Sequence, residues 1–283
     1  MYPSKFDYYR AGSVSEALSL MQQHEDAKLL AGGHSLVPVM NLRLATPPVL
    51  IDIGRIGDLK GISSVGGSVK IGPLTTHAMI EASADVPALM SQAASGIADP
   101  QVRNRGTIGG NIAHADPASD WPTVLTALGA TINIAGSNGE RSVGATDFFQ
   151  GLFETSLEEN EIITSISVPS HGEGTGSSYA KLFHPASGYA IVGAAAVITM
   201  SGGQCTGASV AVGGLTECAT KAPSVEAALT GKALNEATIA AAADAVAGDL
   251  TGDILSDFQT SAAYRKAMVK VYVKRAVSAA AGI

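Results

Sequence analysis

A pair of glycines at the end of an apolar stretch is the feature of this sequence best suited to bind a ligand. Residues 28–31 run into Gly32-Gly33, and His34-Ser35 then leads to another apolar segment. A strand that ends in glycines and opens into a helix presents backbone N–H groups with no Cβ in front of them. Such an arrangement suits a phosphate group, although Gly-Gly pairs also form ordinary turns and the chain has 32 glycines.

A second glycine pair repeats this chemistry later in the chain, where residues 107–111 read Thr-Ile-Gly-Gly-Asn. Thr and Asn side chains can donate to phosphate oxygens, and glycines let a ligand approach the backbone closely. Asp120 follows nine residues later. Its carboxylate could accept hydrogen bonds from ribityl or ribose hydroxyls, or it could cap the helix that begins at Trp121-Pro122. These two roles are compatible.

Other residue patterns that carry chemistry are missing from the sequence. No two of the six histidines have the i, i+4 spacing of a metal-binding pair, and no Cys-x-x-Cys occurs. The sequence contains no Gly-x-Ser-x-Gly turn and no convincing Gly-x-Gly-x-x-Gly dinucleotide fingerprint. Cys205 and Cys218 are too few for a zinc or iron–sulfur cluster, and we interpret both as structural thiols. We therefore predict no metal site and no catalytic residue on this chain.

Composition and charge exclude several classes of protein. The 283 residues are 46% hydrophobic and 15% charged, which is typical of a globular chain and not of a disordered one. The net charge is −7 and no basic run occurs, so we do not expect nucleic acid as a partner. The longest apolar run, residues 190–200, is about half a membrane span. We expect no transmembrane segment and a cytoplasmic location, with the inner face of the membrane as the alternative.

The elements that position the two glycine pairs are short strands and helices. Ser13 followed by Glu16 is typical of a helix capping box, and Gly66-Gly67 and Asn138-Gly139 predict two hairpins. Apolar spacing predicts strands over 28–31, 49–53 and 161–168, and helices over 35–44, 75–82, 88–95 and 121–128. The first fifty residues therefore resemble a small β-α-β unit.

The pattern changes after residues 171–177, which are rich in Gly and Ser and which we interpret as a domain boundary. Strands are predicted beyond this point over 179–184, 190–200 and 204–214, followed by helices over 224–229, 236–247 and 260–280. Strands first and helices after them are typical of an α+β layout. We divide the chain into residues 1–56, 57–172 and 177–283.

Several motifs together resemble one protein family. Residues 31–35 and 107–111 are similar to the paired flavin signature of the FAD-binding medium subunit of the molybdenum hydroxylases. This family includes the medium chain of carbon monoxide dehydrogenase, relatives that act on N-heterocycles such as caffeine or nicotine, and the flavin domain of xanthine dehydrogenase. Further matches extend the resemblance over nearly the whole chain: Phe6-Asp7-Tyr8, Ile71-Gly72, Thr75-Thr76-His77, residues 111–120 and residues 261–265.

The resemblance implies a fold and a set of cofactor contacts. Two FAD-binding subdomains of the PCMH (vanillyl-alcohol-oxidase) type would hold FAD between them. A C-terminal α+β domain, with a three-stranded antiparallel sheet and helices, would close over the flavin. The two glycine motifs would wrap the pyrophosphate, and Asp120 would hold a hydroxyl of the flavin's sugar chain. The implied cofactor-binding residues are Leu29, Leu30, Ala31, Gly32, Gly33, His34, Ser35, Leu36, Thr76, Thr107, Ile108, Gly109, Gly110, Asn111, Asp120, Ile163 and Tyr189.

One stretch departs from the family pattern. After Lys181-Leu182 the family often has Arg and then Gly-Asp before an aromatic residue, whereas this chain has His184, Ser187 and Gly188 before Tyr189. Tyr189 could stack on the isoalloxazine ring or could be a core-facing strand residue, and both interpretations stay open. The change from Asp to Gly188 removes a charge that the family pattern places near the flavin.

The resemblance implies that this chain carries electrons and does not itself transform an organic substrate. A large partner subunit with a molybdopterin cofactor would hydroxylate the substrate, and a small partner with two [2Fe–2S] clusters would pass electrons to FAD on this chain. Reduced FAD would pass them to an external acceptor such as a quinone or a cytochrome. A heterotrimer, doubled into a dimer of heterotrimers, follows. Two alternatives remain: a stand-alone FAD-dependent oxidoreductase of the same fold, and a non-catalytic assembly protein that has lost FAD.

Overall fold

The N-terminal part of the chain is a small parallel sheet with two helices. The computed structural model describes residues 1–283, and this part consists of β1 (Asp7–Arg10), α1 (Val14–Gln23), β2 (Lys28–Leu30), α2 (Leu36–Asn41) and β3 (Val49–Asp52). The strands pair in parallel in the order β1-β3-β2. Ser13 caps α1 by accepting the Glu16 N–H, while the Glu16 carboxylate accepts the N–H of Gly12. The first glycine pair follows the carboxyl end of β2 directly.

A larger antiparallel sheet and most of the short helices form the second part of the chain. Its elements are β4 (Ile62–Val65), β5 (Ser68–Ile71), α3 (His77–Glu81), α4 (Ala88–Ser95), α5 (Pro100–Arg103), α6 (Ile108–His114), α7 (Asp120–Leu128), β6 (Thr131–Gly136), β7 (Gly139–Gly144), α8 (Ala145–Phe148), β8 (Phe149–Gly151), β9 (Glu154–Thr155) and β10 (Glu161–Pro169). Five strands form one sheet in the order β4-β5-β10-β6-β7, and β8 pairs with β9 separately. The second glycine pair therefore lies inside the first turn of α6.

The C-terminal part is an antiparallel sheet covered by helices. Its elements are β11 (Thr175–Phe183), β12 (Ala190–Ser201), β13 (Gln204–Gly213), β14 (Thr220–Lys221), α9 (Pro223–Leu229), α10 (Glu236–Asp244) and α11 (Ala262–Ala281). The predicted α+β arrangement is confirmed, but the sheet has four strands and not three, because β14 pairs with the end of β13. A two-residue strand is too short to show a period-2 pattern in sequence.

Strand β12 is buried on both faces and joins two hydrophobic cores. Ala195 and Val197 belong to the core of the second part of the chain. Ala194 and Ile198 belong to the core that the sheet forms with α11. A strand covered on both sides reads as a continuous apolar run, which explains the composition of residues 190–200. The helix α7 packs on this sheet, so the C-terminal part is held directly against the helix that carries Asp120.

Each part of the chain has one main sheet, and the second part also contains the two-stranded sheet of β8 and β9. The sheet of the third part begins at Thr175, just before the predicted limit at residue 177. The residue limits 1–56, 57–172 and 177–283 themselves stay predictions. The arrangement places the end of β2, the start of β10, the start of α6 and the turn between β11 and β12 around one cavity.

Candidate functional site

A cavity of about 1180 Å³ opens between the first and second parts of the chain, beside the turn that joins β11 to β12. Its volume is slightly larger than is usual for small-molecule and cofactor sites. Most of the predicted cofactor-binding residues line it: Leu29, Leu30, Ala31, Gly32, Gly33, His34, Ser35, Leu36, Thr107, Gly109, Gly110, Asn111, Asp120, Ile163 and Tyr189. That these residues contact a cofactor stays a prediction. Two predicted residues, Thr76 and Ile108, do not line the cavity.

The first glycine pair forms a loop of unpaired backbone donors. None of the N–H groups from residue 31 to residue 36 donates a hydrogen bond within the chain. Gly33 has a φ of +76°, a left-handed conformation that bends the loop and that a side chain would strain. Successive amides around a left-handed residue form a concave nest for an anion. This loop therefore has the free donors that its sequence led us to expect.

The two glycine pairs face each other across a close backbone contact. A Cβ on Gly32 would lie 2.3 Å from the carbonyl oxygen of Arg105, so only glycine lets the segment before the second pair pass here. A Cβ on Gly110 would lie 3.7 Å from the Cβ of Ala31. The two motifs, far apart in sequence, are therefore adjacent walls of one cavity.

The second glycine pair uses its backbone donors inside the protein. The N–H of Ile108 donates to a carbonyl oxygen of the segment before α3 (3.0 Å), and the N–H of Gly109 donates to the carbonyl oxygen of Pro73 (2.8 Å). The N–H of Gly110 donates to the Thr107 hydroxyl oxygen (3.2 Å). A Cβ on Gly109 would lie only 2.3 Å from the Cβ of Pro73. Glycine is therefore required at position 109 for the close approach of Pro73, and a contact between Gly109 and the cofactor stays a prediction.

Thr76 and Ile108 support the second loop from behind. Thr76 is the N-cap of α3, accepts the Met79 N–H (3.3 Å) and forms an isolated β-bridge with Thr107. Ile108 is fully buried in the core of the second part of the chain. Neither residue lines the cavity. The sequence motif did not predict this, because a motif does not tell which side of the backbone each of its residues faces.

The second loop offers side-chain donors in place of backbone donors. Asn111 Oδ1 accepts the hydroxyl of Ser119, and its Nδ2 has no acceptor in the chain. An amide group carries two donors on Nδ2, so Asn111 is oriented by Ser119 and keeps both donors for a ligand. Of the backbone N–H groups near this loop, that of Thr107 has no acceptor in the chain.

Asp120 is buried at the start of α7 and is held by the C-terminal part of the chain. Its carboxylate accepts the Tyr179 hydroxyl (2.5 Å) and the Lys181 ammonium (2.9 Å). Ser119, not Asp120, occupies the helix N-cap position, so the capping alternative is wrong. Burial raises the pKa of Asp120, and the charge of Lys181 opposes that shift. Neither partner was predicted from the sequence, although their i, i+2 spacing on one strand places them on the same face.

Lys181 also fixes the turn that carries Tyr189. Its ammonium donates to the carbonyl oxygens of Gly188 (2.8 Å) and Gly96 (2.7 Å). Gly188 has a φ of +75°, which glycine adopts without strain. Tyr189 precedes β12, is 41% exposed and lines the cavity, so the alternative of a core-facing strand residue is wrong.

Comparison with known proteins identifies the family. The family described as the FAD binding domain in molybdopterin dehydrogenase matches residues 4–171, and the CO dehydrogenase flavoprotein C-terminal domain matches residues 177–280. The chain belongs to this family of FAD-binding medium subunits. The resemblance inferred from the sequence motifs is confirmed, and so are the FAD cofactor and the oxidoreductase class that it implied.

Relatives align with this medium subunit over nearly its whole length. The carbon monoxide dehydrogenase medium chain of Hydrogenophaga pseudoflava is 43% identical, over 99% of this chain and 98% of the relative. The nicotine 6-hydroxylase medium subunit of Paenarthrobacter nicotinovorans is 37% identical, over 95% of each chain. A structure of H. pseudoflava carbon monoxide dehydrogenase superposes with a TM-score of 0.95 at 45% identity, covering 99% of this chain and 98% of that one. The predicted fold class is thereby confirmed.

The cavity residues of the medium subunit fit the cofactor of the family. The unpaired amides at 31–36 suit an anionic pyrophosphate, because free N–H groups and their dipoles favour negative charge. Leu29 and Leu36 in the same wall, with Ile163 on β10, supply apolar surface for flat rings. His77, which entered the sequence analysis only as part of a motif, lines the same cavity.

Proposed function

We propose that this chain holds FAD between its first two parts and passes electrons from iron–sulfur clusters of a partner to an external acceptor. The observation that carries the proposal is the run of six unpaired amides in the wall of a cofactor-sized cavity. Bound flavin supplies the redox chemistry, and the protein binds it, orients it and adjusts its electronic surroundings. Family membership supports the identity of the cofactor.

The two glycine loops hold the pyrophosphate from two adjacent walls of the cavity in this proposal. The amides of residues 31–36 donate to phosphate oxygens from one wall. The Asn111 Nδ2 and the Thr107 N–H donate from the other wall, which explains why Ser119 orients Asn111. The close approach at Gly32 sets the distance between these walls.

The sugar chain and the ring system lie further toward the C-terminal part in this proposal. Asp120 accepts a hydroxyl of the flavin's sugar chain through lone pairs that Tyr179 and Lys181 leave free, since a carboxylate has about four acceptor sites. Ile163 contacts the cofactor through its backbone. Tyr189, held at the cavity by its turn, stacks on the isoalloxazine ring.

The partners follow from the family and from the cysteine content of the chain. An iron–sulfur cluster needs four cysteine thiolates, whereas this chain has two cysteines, and both are free thiols. We assign the two [2Fe–2S] clusters to a small partner subunit and the molybdopterin cofactor to a large one. The complex is a heterotrimer, doubled into a dimer of heterotrimers, that delivers electrons to an external acceptor.

Substrate choice belongs to the large partner in this proposal. Relatives of comparable identity are named for unlike substrates: a carbon monoxide dehydrogenase at 43%, a glyceraldehyde dehydrogenase of Sulfolobus acidocaldarius at 39% and a nicotine 6-hydroxylase at 37%. A subunit that serves such different substrates with one conserved fold contributes a common step. That common step is electron transfer through FAD.

The expected compartment is the cytoplasm. No helix of the fold is both long and apolar enough to cross a membrane. The two free cysteines suit a reducing compartment, where disulfides rarely form. Fractionation of cells tests this: recovery with the membranes and release by salt would instead place the complex at the inner membrane face.

Co-expression with a large molybdopterin subunit and a small iron–sulfur subunit of the family tests the function. We expect the purified complex to contain three chains by mass spectrometry, one FAD per medium subunit, and the absorbance of flavin together with that of iron–sulfur clusters. A colourless chain that takes up no added FAD would contradict the proposal. A yellow chain that purifies alone and oxidises a substrate unaided would favour the stand-alone oxidoreductase.

A further inference from the structure

His77 is a buried histidine whose ring is fixed by the tryptophan beside it. It is the first residue of α3, and only 3% of its surface is exposed. The indole Nε1–H of Trp121 donates to His77 Nδ1 (3.1 Å). An indole nitrogen can only donate, so Nδ1 accepts and the neutral ring carries its proton on Nε2. The orientation and the tautomer of His77 are therefore set by one contact.

The Nε2–H of His77 has no acceptor in the chain. No hydrogen bond joins it to any protein group, and the ring lines the cavity described above. A Cβ on Gly106 would lie 2.8 Å from Nε2, so a side chain at that position would displace the ring or cover it. Because the ring lines the cavity, this N–H is available to a ligand bound there.

The surroundings of His77 keep its ring neutral. Burial, together with the nearby His34 and Arg103, lowers the pKa of His77 to about 4, so the ring is neutral at physiological pH. Arg103 is itself paired with Glu81 (2.8 Å). A neutral ring keeps the Trp121 hydrogen bond and offers one well-directed N–H without the desolvation cost of a buried cation.

The position of His77 places this donor beside the first glycine loop. Gly106, which the ring contacts, follows Arg105, and the carbonyl of Arg105 lies against Gly32. We infer that His77 is a further cofactor-binding residue that donates its Nε2–H to a phosphate oxygen of the FAD pyrophosphate, completing the anion site of the first loop. The inference rests on the proposed function, because it takes the ligand of the cavity to be FAD.

Two substitutions separate this donor from the structural role of the ring. His77→Asn keeps an oxygen near the place of Nδ1 for Trp121 but removes the donor at Nε2, whereas His77→Gln keeps an amide donor near Nε2. Binding of FAD to the full-length chain, measured by equilibrium dialysis, should weaken about 10- to 100-fold in His77→Asn. The Gln variant should recover most of the affinity. Equal losses in both variants would overturn the inference in favour of a structural role.

Fragments of the cofactor show which part His77 contacts. ADP keeps the pyrophosphate and the adenosine, while riboflavin keeps the ring and the sugar chain. His77→Asn should lose affinity for ADP by the same factor as for FAD and keep its affinity for riboflavin. Unchanged ADP affinity would overturn the inference and leave the proposed function standing, whereas failure of the unaltered protein to bind FAD would overturn the proposed function.

A measurement on the unaltered protein covers the case in which the variants fold poorly. Nuclear magnetic resonance of protein labelled with ¹⁵N-histidine detects the Nε2–H of His77 directly. Addition of ADP should shift this signal and slow its exchange with water, since the proton becomes hydrogen-bonded. Addition of riboflavin should not. A His77 signal that does not respond to ADP would contradict the proposed contact.

Discussion

Two loops with the same Gly-Gly signature border one cavity and use their backbones in opposite ways. In the first loop, the N–H groups of residues 31–36 are all free and Gly33 adopts a φ of +76°. In the second, the N–H groups of residues 108–110 all donate within the protein. The second loop contributes the Asn111 side chain, and the start of α7 adds Asp120, where the first loop contributes amides. One motif therefore marks an anion nest in one place and a packing contact in the other.

Removing Lys181 is the most severe test of the part of the site that depends on side chains, namely Asn111 and Asp120. Lys181→Met should lower the free energy of unfolding by about 3–5 kcal/mol, because the buried carboxylate of Asp120 loses its cation. Affinity for FAD should fall too, since Asp120 and the Gly188 turn lose a common partner. Denaturant unfolding and FAD titration measure the two effects.

The matched control for Lys181 is a more exposed ion pair in the C-terminal part. Lys221→Met breaks a pair with Glu226 (2.7 Å) whose partners are 30% and 22% exposed. It should cost about 1 kcal/mol or less and leave FAD affinity unchanged. If Lys181→Met bound FAD as tightly as this control, the contacts among Lys181, Tyr179 and Asp120 would not contribute to FAD binding.

Acid should lower the stability of the fold through His77, which lines the cavity. The folded pKa of His77 is lowered to about 4, and in the unfolded chain it returns to about 6.5. Between these values the unfolded state binds a proton that the folded state does not. Stability is therefore highest above pH 6.5 and falls by up to about 3 kcal/mol as the pH drops toward 4. Urea unfolding at several pH values measures this slope, and an unchanged slope in His77→Asn would refute its assignment to this ring.

Gly109→Ala tests whether the second glycine pair serves packing. The added Cβ overlaps the side chain and backbone of Pro73, so we expect a loss of about 2–3 kcal/mol of stability even without cofactor. Gly207→Ala is the control, because a Cβ there would meet its nearest neighbour at an ordinary 3.7 Å. Calorimetry compares the two. If Gly109→Ala kept its stability and lost only FAD affinity, the second glycine pair would serve ligand binding, as the first does, and not packing.

Gly33→Ala is the mildest change and addresses the first loop alone. Alanine in the left-handed region costs about 1–2 kcal/mol. Gly231 has nearly the same φ, +77°, with open space around it, and lies outside the cavity lining. Both alanine variants should lose similar stability, but only Gly33→Ala should weaken FAD binding. Equal FAD affinity in the two variants would mean that the shape of the first loop does not matter for the ligand.

Much of the fold was predictable because its local signals are strong. The helix predicted over 88–95 is observed as Ala88–Ser95, and the hairpins predicted around Gly66-Gly67 and Asn138-Gly139 are observed at those turns. Turn glycines and apolar periodicity are local signals that depend on only a few neighbouring residues. They can therefore be recognised in a single sequence. Strand β14 was not predicted, because its two residues form a strand only through pairing with β13.

The site was predictable only where it depends on local sequence. The glycine pairs and Asp120 were recognisable as motifs, yet whether an amide is free depends on residues elsewhere, as Gly109 depends on Pro73. Tyr179 and Lys181 contact Asp120 from 59 and 61 residues further along the chain, on a strand of the C-terminal sheet. Such contacts form only when the chain is packed. A sequence motif can identify one residue of the contact, here Asp120, but not its partners.

The hydrogen bond between Trp121 and His77 has an optical consequence. Trp121 is the only tryptophan in the chain, it is fully buried, and its partner ring lines the cavity. Tryptophan emits light at wavelengths that oxidised flavin absorbs, so a flavin bound in this cavity should quench that emission by energy transfer. Reduced flavin absorbs less in this region and should quench less. The occupancy and the redox state of the cofactor can therefore be followed in the unlabelled protein through the fluorescence of a single side chain.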